Sequence, residues 1–270
     1  MSTPAASVDR YEVTLNTPRG PVTTSLEVPV QLVPITSIVP LARQLGACAA
    51  EEEVRASTQQ GATISCKDGC AACCRMMIPL SPPEAFALRE HVQSLPEADQ
   101  ARFTKRLEEA KAALGQAGLL NPLTELAYSS TLRSDEELDS LNRAYYALKL
   151  PCPFLEQEHC GIYAHRPSAC RELLVTSPAN LCEDFADKPV EALPVSIRVS
   201  TVLGMLWSDV TGTVPRLIPL PLALGWAERH EAEQRQTWKA GELLDQVLDK
   251  VWRLLSQAMN MGQEARGKGR

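Results

Sequence analysis

Four cysteines fall between residues 66 and 74, at Cys66, Cys70, Cys73 and Cys74, and four more follow at Cys152, Cys160, Cys170 and Cys182. This bunching constrains the fold more than any other feature of the chain. The two groups read as halves of one metal site, closed when the segments between them fold. A total of nine cysteines excludes complete disulfide pairing within one chain. The N-terminus has neither the basic start nor the apolar run of a secretory leader, so the expected location is cytoplasmic, where thiols stay reduced. Clustered thiols there bind metal more often than they pair.

Thiolates are soft ligands that select zinc or iron–sulfur clusters over hard cations. Zinc takes four in a tetrahedron, and a [4Fe–4S] cluster also takes four cysteines. If the first stretch were helical, Cys66, Cys70 and Cys73 would share a face, with Cys74 at its edge. Neighbouring side chains diverge, so Cys73 and Cys74 are expected to do different jobs. One joins Cys66 and Cys70; the other joins a second centre or turns into the core. Eight cysteines make two four-thiolate sites, or one site with structural cysteines beside it. His159 and His165 flank Cys160 as possible substitute ligands or as plain surface histidines. His91 and His230 fall on helices away from both groups. Lys67, Arg75, Arg166 and Arg171 are either counter-charges to thiolates or surface charges.

The chain is 44% apolar and 22% charged, an ordinary globular composition. A net charge of −6 argues against nucleic acid or an anionic membrane as the main partner. The basic end, Arg266, Lys268 and Arg270, reads as a solvated tail. The apolar run from Leu217 to Trp226 is too short to span a bilayer and is interrupted by Pro219 and Pro221. The expected partners are the metal and, at most, a protein substrate or partner.

Periodicity supplies the expected elements. Residues 1–10 read as disordered. A β-hairpin spans Tyr11 to Val28, turning at Pro18, Arg19 and Gly20. A helix from Ile35 to Arg55 carries Ile38, Leu41, Leu45 and Cys48 on its apolar stripe, with Glu51, Glu52 and Glu53 on a solvated face. Ser81 and Glu84 form a capping box around Pro82, opening a helix with Ala85, Leu88, Val92 and Leu95 inward. A second helix, Glu97 to Leu114, buries Phe103, Leu107, Ala110 and Leu114. Ser134 and Glu137 repeat the capping box before Leu138, Leu141, Tyr145 and Leu148. Residues 151–163 read as two short extended pieces, with Gly161 supplying the bend. Pro167 opens a helical turn at Cys170, and Cys182 lies in a loop. Helices follow at Val195–Trp207, Leu222–Gln236 and Gly241–Met261, with Gly262 as the stop. Trp207, Trp226, Trp238 and Trp252 are expected in buried packing.

The predicted fold is mainly α with a small β component (α+β): helices around a cysteine-ligated hub, plus an N-terminal β-hairpin. The expected divisions are residues 1–33 (tail and hairpin), 34–190 (metal-binding domain) and 191–270 (C-terminal helical region). The stretch from Gly262 to Lys268 imitates a phosphate-binding loop, but it lacks the following Ser or Thr and the flanking strand and helix.

Four motifs in order carry a family resemblance: Cys66/Cys70/Cys73/Cys74; Pro151 to Leu155 around Cys152; Cys160 with Ile162 and Tyr163; and Arg166, Pro167, Cys170 and Arg171. Together they resemble the YkgJ-like cysteine-cluster proteins, zinc- or iron-chelating domains, over about Thr63 to Asp184. Flagellin lysine N-methylases are similar over the same motifs. The resemblance implies a metal or iron–sulfur centre held by Cys66, Cys70, Cys73 or Cys74, Cys152, Cys160 and Cys170. It implies scaffold roles for Tyr163 (a packed ring), Arg166 (a salt-bridging or capping cation) and Pro167 (a helix start).

The expected function is therefore metal binding, with zinc or an iron–sulfur cluster. The alternatives are an S-adenosylmethionine-dependent protein lysine methylase and a zinc-braced interaction module. Ala72 stands where radical S-adenosylmethionine enzymes place an aromatic, and no strand–Gly-x-Gly–helix element is present.

Overall fold

The structure is a computed structural model that describes residues 7–131, 133–184 and 190–267, without the side chains of residues 184 and 261–267. The elements follow from the sequence in chain order. Strands β1 (Val8–Thr17) and β2 (Gly20–Pro29) form an antiparallel hairpin with Thr17 opposite Gly20. Gly20 has φ +136°, which a side chain would oppose. Alternation places Val13, Leu15, Leu26 and Val28 on the buried face. Residues 8–10, expected to be disordered, belong to β1, while residues 1–6 lie outside the described residues.

Strand β3 (Leu32–Pro34) leads into α1 (Ile38–Gln59). Ile38, Leu41 and Leu45 are buried on α1, as the periodicity predicts, but Cys48 is half-buried at the edge of the stripe. Glu53 is also different from expectation. It is buried and held by Arg19 through a two-pronged ion pair, Nη2 to Oε1 2.7 Å and Nε to Oε2 2.9 Å. The hairpin turn thus reaches over α1 and covers the end of the acidic run.

Short strand β4 (Pro79–Leu80) precedes α2 (Pro82–Ser94), α3 (Glu97–Gln116), α4 (Leu120–Tyr128) and α5 (Asp135–Ala147). Both capping boxes form, Ser81 with Glu84 and Ser134 with Glu137. Helix α2 is central: Phe86 is fully buried, with its ring 5.4 Å from Trp207 and 5.3 Å from Trp226. Strands β5 (Leu155–Glu156) and β6 (His159–Cys160) and the short α6 (Ser168–Glu172) follow, with Cys160 in β6 and Cys170 in α6. Beyond them come α7 (Val199–Thr211), β7 (Ile218–Pro219), α8 (Ala223–Arg229), α9 (Glu231–Gln234), β8 (Thr237–Lys239) and α10 (Ala240–Gly267).

Each sheet is a two-stranded pair, with β3 against β8, β4 against β7 and β5 against β6, all antiparallel. The fold is mainly helical with small antiparallel pairs, as expected. One apolar cluster runs through hairpin, cysteine region and C-terminal helices, from Val13 through Phe154 and Ile162 to Leu255.

Several boundaries depart from the periodic reading. Helix α7 starts at Val199 and stops at Gly212, whose φ of +67° is the left-handed cap. The chain from Leu222 to Gln236 breaks at His230 into α8 and α9. Helix α10 continues past Gly262 to Gly267, because a glycine inside a helix costs only about 1 kcal/mol relative to alanine. Trp252 is 49% exposed, unlike the buried Trp207 and Trp226. Among the described residues, no helix is long and apolar enough to cross a membrane.

Candidate metal centre

The first cysteine group is not helical. It forms two successive turns: Cys70 N–H donates to Lys67 O (3.1 Å), and Cys74 N–H donates to Ala71 O (2.9 Å). Gly69, at φ +79°, makes the first turn possible. A side chain there would begin 3.2 Å from His159 Nε2, so the His159 ring rests against the loop between Cys66 and Cys70.

Backbone pairing ties this loop to the second group. Ser65 N–H donates to Val175 O (2.9 Å), and Val175 N–H donates back to Cys66 Sγ (3.3 Å). The Cys66 thiol faces Leu173 O at 3.7 Å. Cys152 N–H donates to Cys74 O at 2.7 Å. Residues more than seventy positions apart in sequence are thereby set side by side.

The second group is a tight hairpin. Gln157 (φ 49°) and Glu158 (φ 62°) make the turn between β5 and β6, not Gly161 as expected. Gly161 serves close approach instead, since a Cβ there would lie 2.9 Å from Phe103 Cζ and 3.3 Å from Phe154 O. Two sulfurs accept hydrogen bonds from the amide two residues ahead, Cys152 from Phe154 and Cys160 from Ile162. Amide donors aimed at sulfur favour the thiolate form and hold its direction.

Cys170 sits in α6, after Pro167. Arg171 Nε donates to Arg166 O (3.1 Å), and its Nη2 donates to Ala164 O, so the arginine braces the turn leading into α6. The Arg166 guanidinium carbon lies over the Tyr163 ring, 3.7 Å from its centre. Tyr163 is 40% exposed, so it is a platform for Arg166 rather than the packed ring expected of it. Cys182 is buried in a 3₁₀ turn, its carbonyl accepting the Tyr146 hydroxyl at 3.0 Å.

The sulfurs gather around the vicinal pair, with Cys73 within electrostatic reach of both cysteine groups. Cys66 lies within electrostatic reach of Cys70 and Cys73, and Cys182 within reach of Cys73, Cys66 and Cys70. Cys170 is within reach of Cys152, Cys73 and Cys160, and Cys74 within reach of Cys73, Cys152 and Cys170. Arg166 is the cation common to Cys66, Cys73, Cys160 and Cys170.

Burial pushes most of these thiols up, Cys152 to about 12 and Cys182 to about 11, and Cys170 well above the ordinary value. Cys73 moves the other way. A hydrogen bond with Cys74 brings it down to about 7, with help from Arg166, and the same bond pushes Cys74 up. Two adjacent thiols sharing one hydrogen bond divide the charge this way, one ionising early and the other late.

Among the described residues, no three His, Cys, Asp or Glu side chains already stand in an arrangement that could hold a metal ion. The chemistry of the donors nonetheless fits a soft metal: clustered sulfurs, amides aimed at three of them, and a shared cation.

Cys48 and His230 stand apart from the cysteines. His230 stacks on Trp226 at 3.9 Å. His91 is not remote, as expected, but stacks on His165 at 3.7 Å, and burial together with that ring lowers its pKa. Sequence reasoning also missed Arg43 on α1. Its Nη2 pairs with the buried Glu84 at 3.3 Å, and its Nε faces Ser168 Oγ at 3.4 Å. Nothing in a sequence pattern joins residues so far apart.

Searches of curated proteins and of solved structures each found no match. Residues 65–192 match the family model CxxCxxCC, described as "Putative zinc- or iron-chelating domain". The paired loops and gathered sulfurs described above lie within those bounds, and the four cysteine motifs read from the sequence fall inside the matched span.

Proposed function

We propose that this protein binds metal through two four-sulfur sets that meet at the vicinal pair. Cys66, Cys70, Cys73 and Cys182 form one set, and Cys74, Cys152, Cys160 and Cys170 the other. The observation that carries this reading is the pairing of the two loops: Cys152 N–H on Cys74 O and Val175 N–H on Cys66 Sγ bring both sets to one hub. Each set has the four thiolates that a zinc ion or a [4Fe–4S] cluster takes. Eight gathered sulfurs exceed what a single ion uses.

Bound metal supplies cross-linking of the two loops and, as an iron–sulfur cluster, electron transfer. The chain's own contributions are distinct. Amides of Phe154, Ile162 and Val175 orient sulfurs, and Arg166 offsets thiolate charge. The hub lies mostly outside regular elements, so its order depends on the metal. Thiolate–zinc binding contributes on the order of 10 kcal/mol to folding in small zinc domains. Hydrogen exchange before and after chelation under reducing conditions tests this. Amides of residues 62–78 and 150–176 should lose protection while α2, α7 and α10 keep theirs. Unchanged protection in the loops would overturn the bracing role.

A further inference from the structure

A second site adjoins the sulfurs. Helix α1 and the segment from Arg166 to Leu174 line a half-open cavity of about 340 Å³. Its apolar walls include Ala47, Ala50, Val54, Leu174 and Val199. Gly46 allows α1 to approach α7 here, since a Cβ would lie 2.4 Å from Val199 Cγ2. Three half-buried arginines, Arg43, Arg166 and Arg171, line the same cavity.

We propose that this cavity binds a small molecule that carries one oxyanion, carboxylate or phosphate, on an apolar body. Arg43 is committed to Glu84. Arg166 and Arg171 direct donors to the backbone carbonyls of Tyr163, Arg166 and Ala164, and no described carboxylate pairs with either. Both Arg43 and Arg166 lie within electrostatic reach of Arg171. Like charges brought together out of water repel, and an anion between them relieves the repulsion. Guanidinium groups present paired donors that match the planar oxygens of a carboxylate or two oxygens of a phosphate.

Two carboxylates also line the cavity and do not fill this role. Glu172 accepts the Val199 N–H at 2.8 Å, at the first turn of α7, and Glu51 lies at the exposed rim. Arg55, also at the rim, is committed to Glu52. Apolar wall beside convergent cations is the make-up of a small-molecule site. Because Arg166 also faces the sulfurs, a bound oxyanion would sit beside the metal hub. The inference goes beyond metal binding and holds for either metal.

The test is calorimetric titration of the full chain, as isolated without oxygen, with benzoate, phenylphosphate and benzyl alcohol. At least one of the two anions should bind about tenfold or more tightly than the alcohol, the difference expected for one charge-assisted contact. The tighter anion identifies the headgroup. Ala47→Trp, at the exposed rim, should fill the cavity and abolish binding without changing metal content. Arg171→Gln should weaken the preferred anion about tenfold. Anions that bind no better than the alcohol, or full affinity in Ala47→Trp, would overturn the proposal. Metal content is read separately, so failure here leaves the metal reading standing.

Discussion

The buried carboxylate of Glu84 accepts a hydrogen bond from the backbone N–H of Ser168 at 2.8 Å. Glu84 already closes the capping box of its own helix, accepting Ser81 N–H at 3.3 Å, and it also accepts Ser81 Oγ–H at 2.9 Å. One side chain therefore caps α2 and also fixes the start of α6, two residues before Cys170. Helix α6 has no side-chain cap of its own, because Pro167 precedes it.

Burial opposes the Glu84 charge, but Arg43 and the Ser168 hydrogen bonds prevail and hold its carboxyl below the ordinary value. A carboxyl lowered by folding contributes stability above its unfolded pKa, about 4.3, and loses it as pH falls through the lower folded value. Glu84→Gln should therefore be clearly less stable than wild type at pH 7, with the gap narrowing as pH falls below about 4. Glu84→Ala, which leaves Arg43 half-buried and unpaired, should lose about 3–5 kcal/mol at pH 7. Urea melts across pH decide this. A gap that does not change with pH would show that the charge contributes nothing.

The two sulfur sets make distinct predictions. Cys66→Ser and Cys182→Ser should each remove about half of the bound metal, and so should Cys152→Ser and Cys170→Ser. One substitution from each set, combined, should remove nearly all of it. Cys48→Ser should remove none, because Cys48 lies on α1 outside both sets. Metal analysis of the purified variants reads all of these. Complete loss from every single substitution would point to one shared centre instead of two.

Gly161 tests the packing beneath the second cysteine group. Gly161→Ala drives a Cβ to 2.9 Å from Phe103 Cζ and 3.3 Å from Phe154 O. Overpacking of this kind costs about 1–3 kcal/mol. Phe103→Leu in the same chain removes the ring atom but not the carbonyl, so it should recover part of the loss. Denaturant midpoints of the two single variants and the double variant give the coupling. Additive losses would place the strain elsewhere.

Local patterns carried the elements well where each is decided by its own residues. Both capping boxes, the hairpin and the stripes of α2 and α3 follow from spacing and cap chemistry alone. What the spacing missed is decided by distant partners. Glu53 reads as solvated until Arg19 arrives from the hairpin turn. The two-residue strands β4 and β7 exist only because residues 79 and 219 meet. Within the site, the clustered cysteines announced a soft-metal donor set, and the matched family domain agrees. Which sulfurs face each other was not legible, because it depends on two loops pairing through the Cys152 and Val175 amides. The arginine cavity was invisible for the same reason: Arg43, Arg166 and Arg171 line one cavity only once the chain has folded.

The most direct test of the account is the content of zinc, iron and acid-labile sulfide, with a visible spectrum, in the chain purified without oxygen. The account predicts bound metal in both sets: about two zinc ions per colourless chain, or iron and sulfide in equal amounts in a brown one. A metal-free protein that stays folded, with its cysteines as free thiols or disulfides, would contradict it.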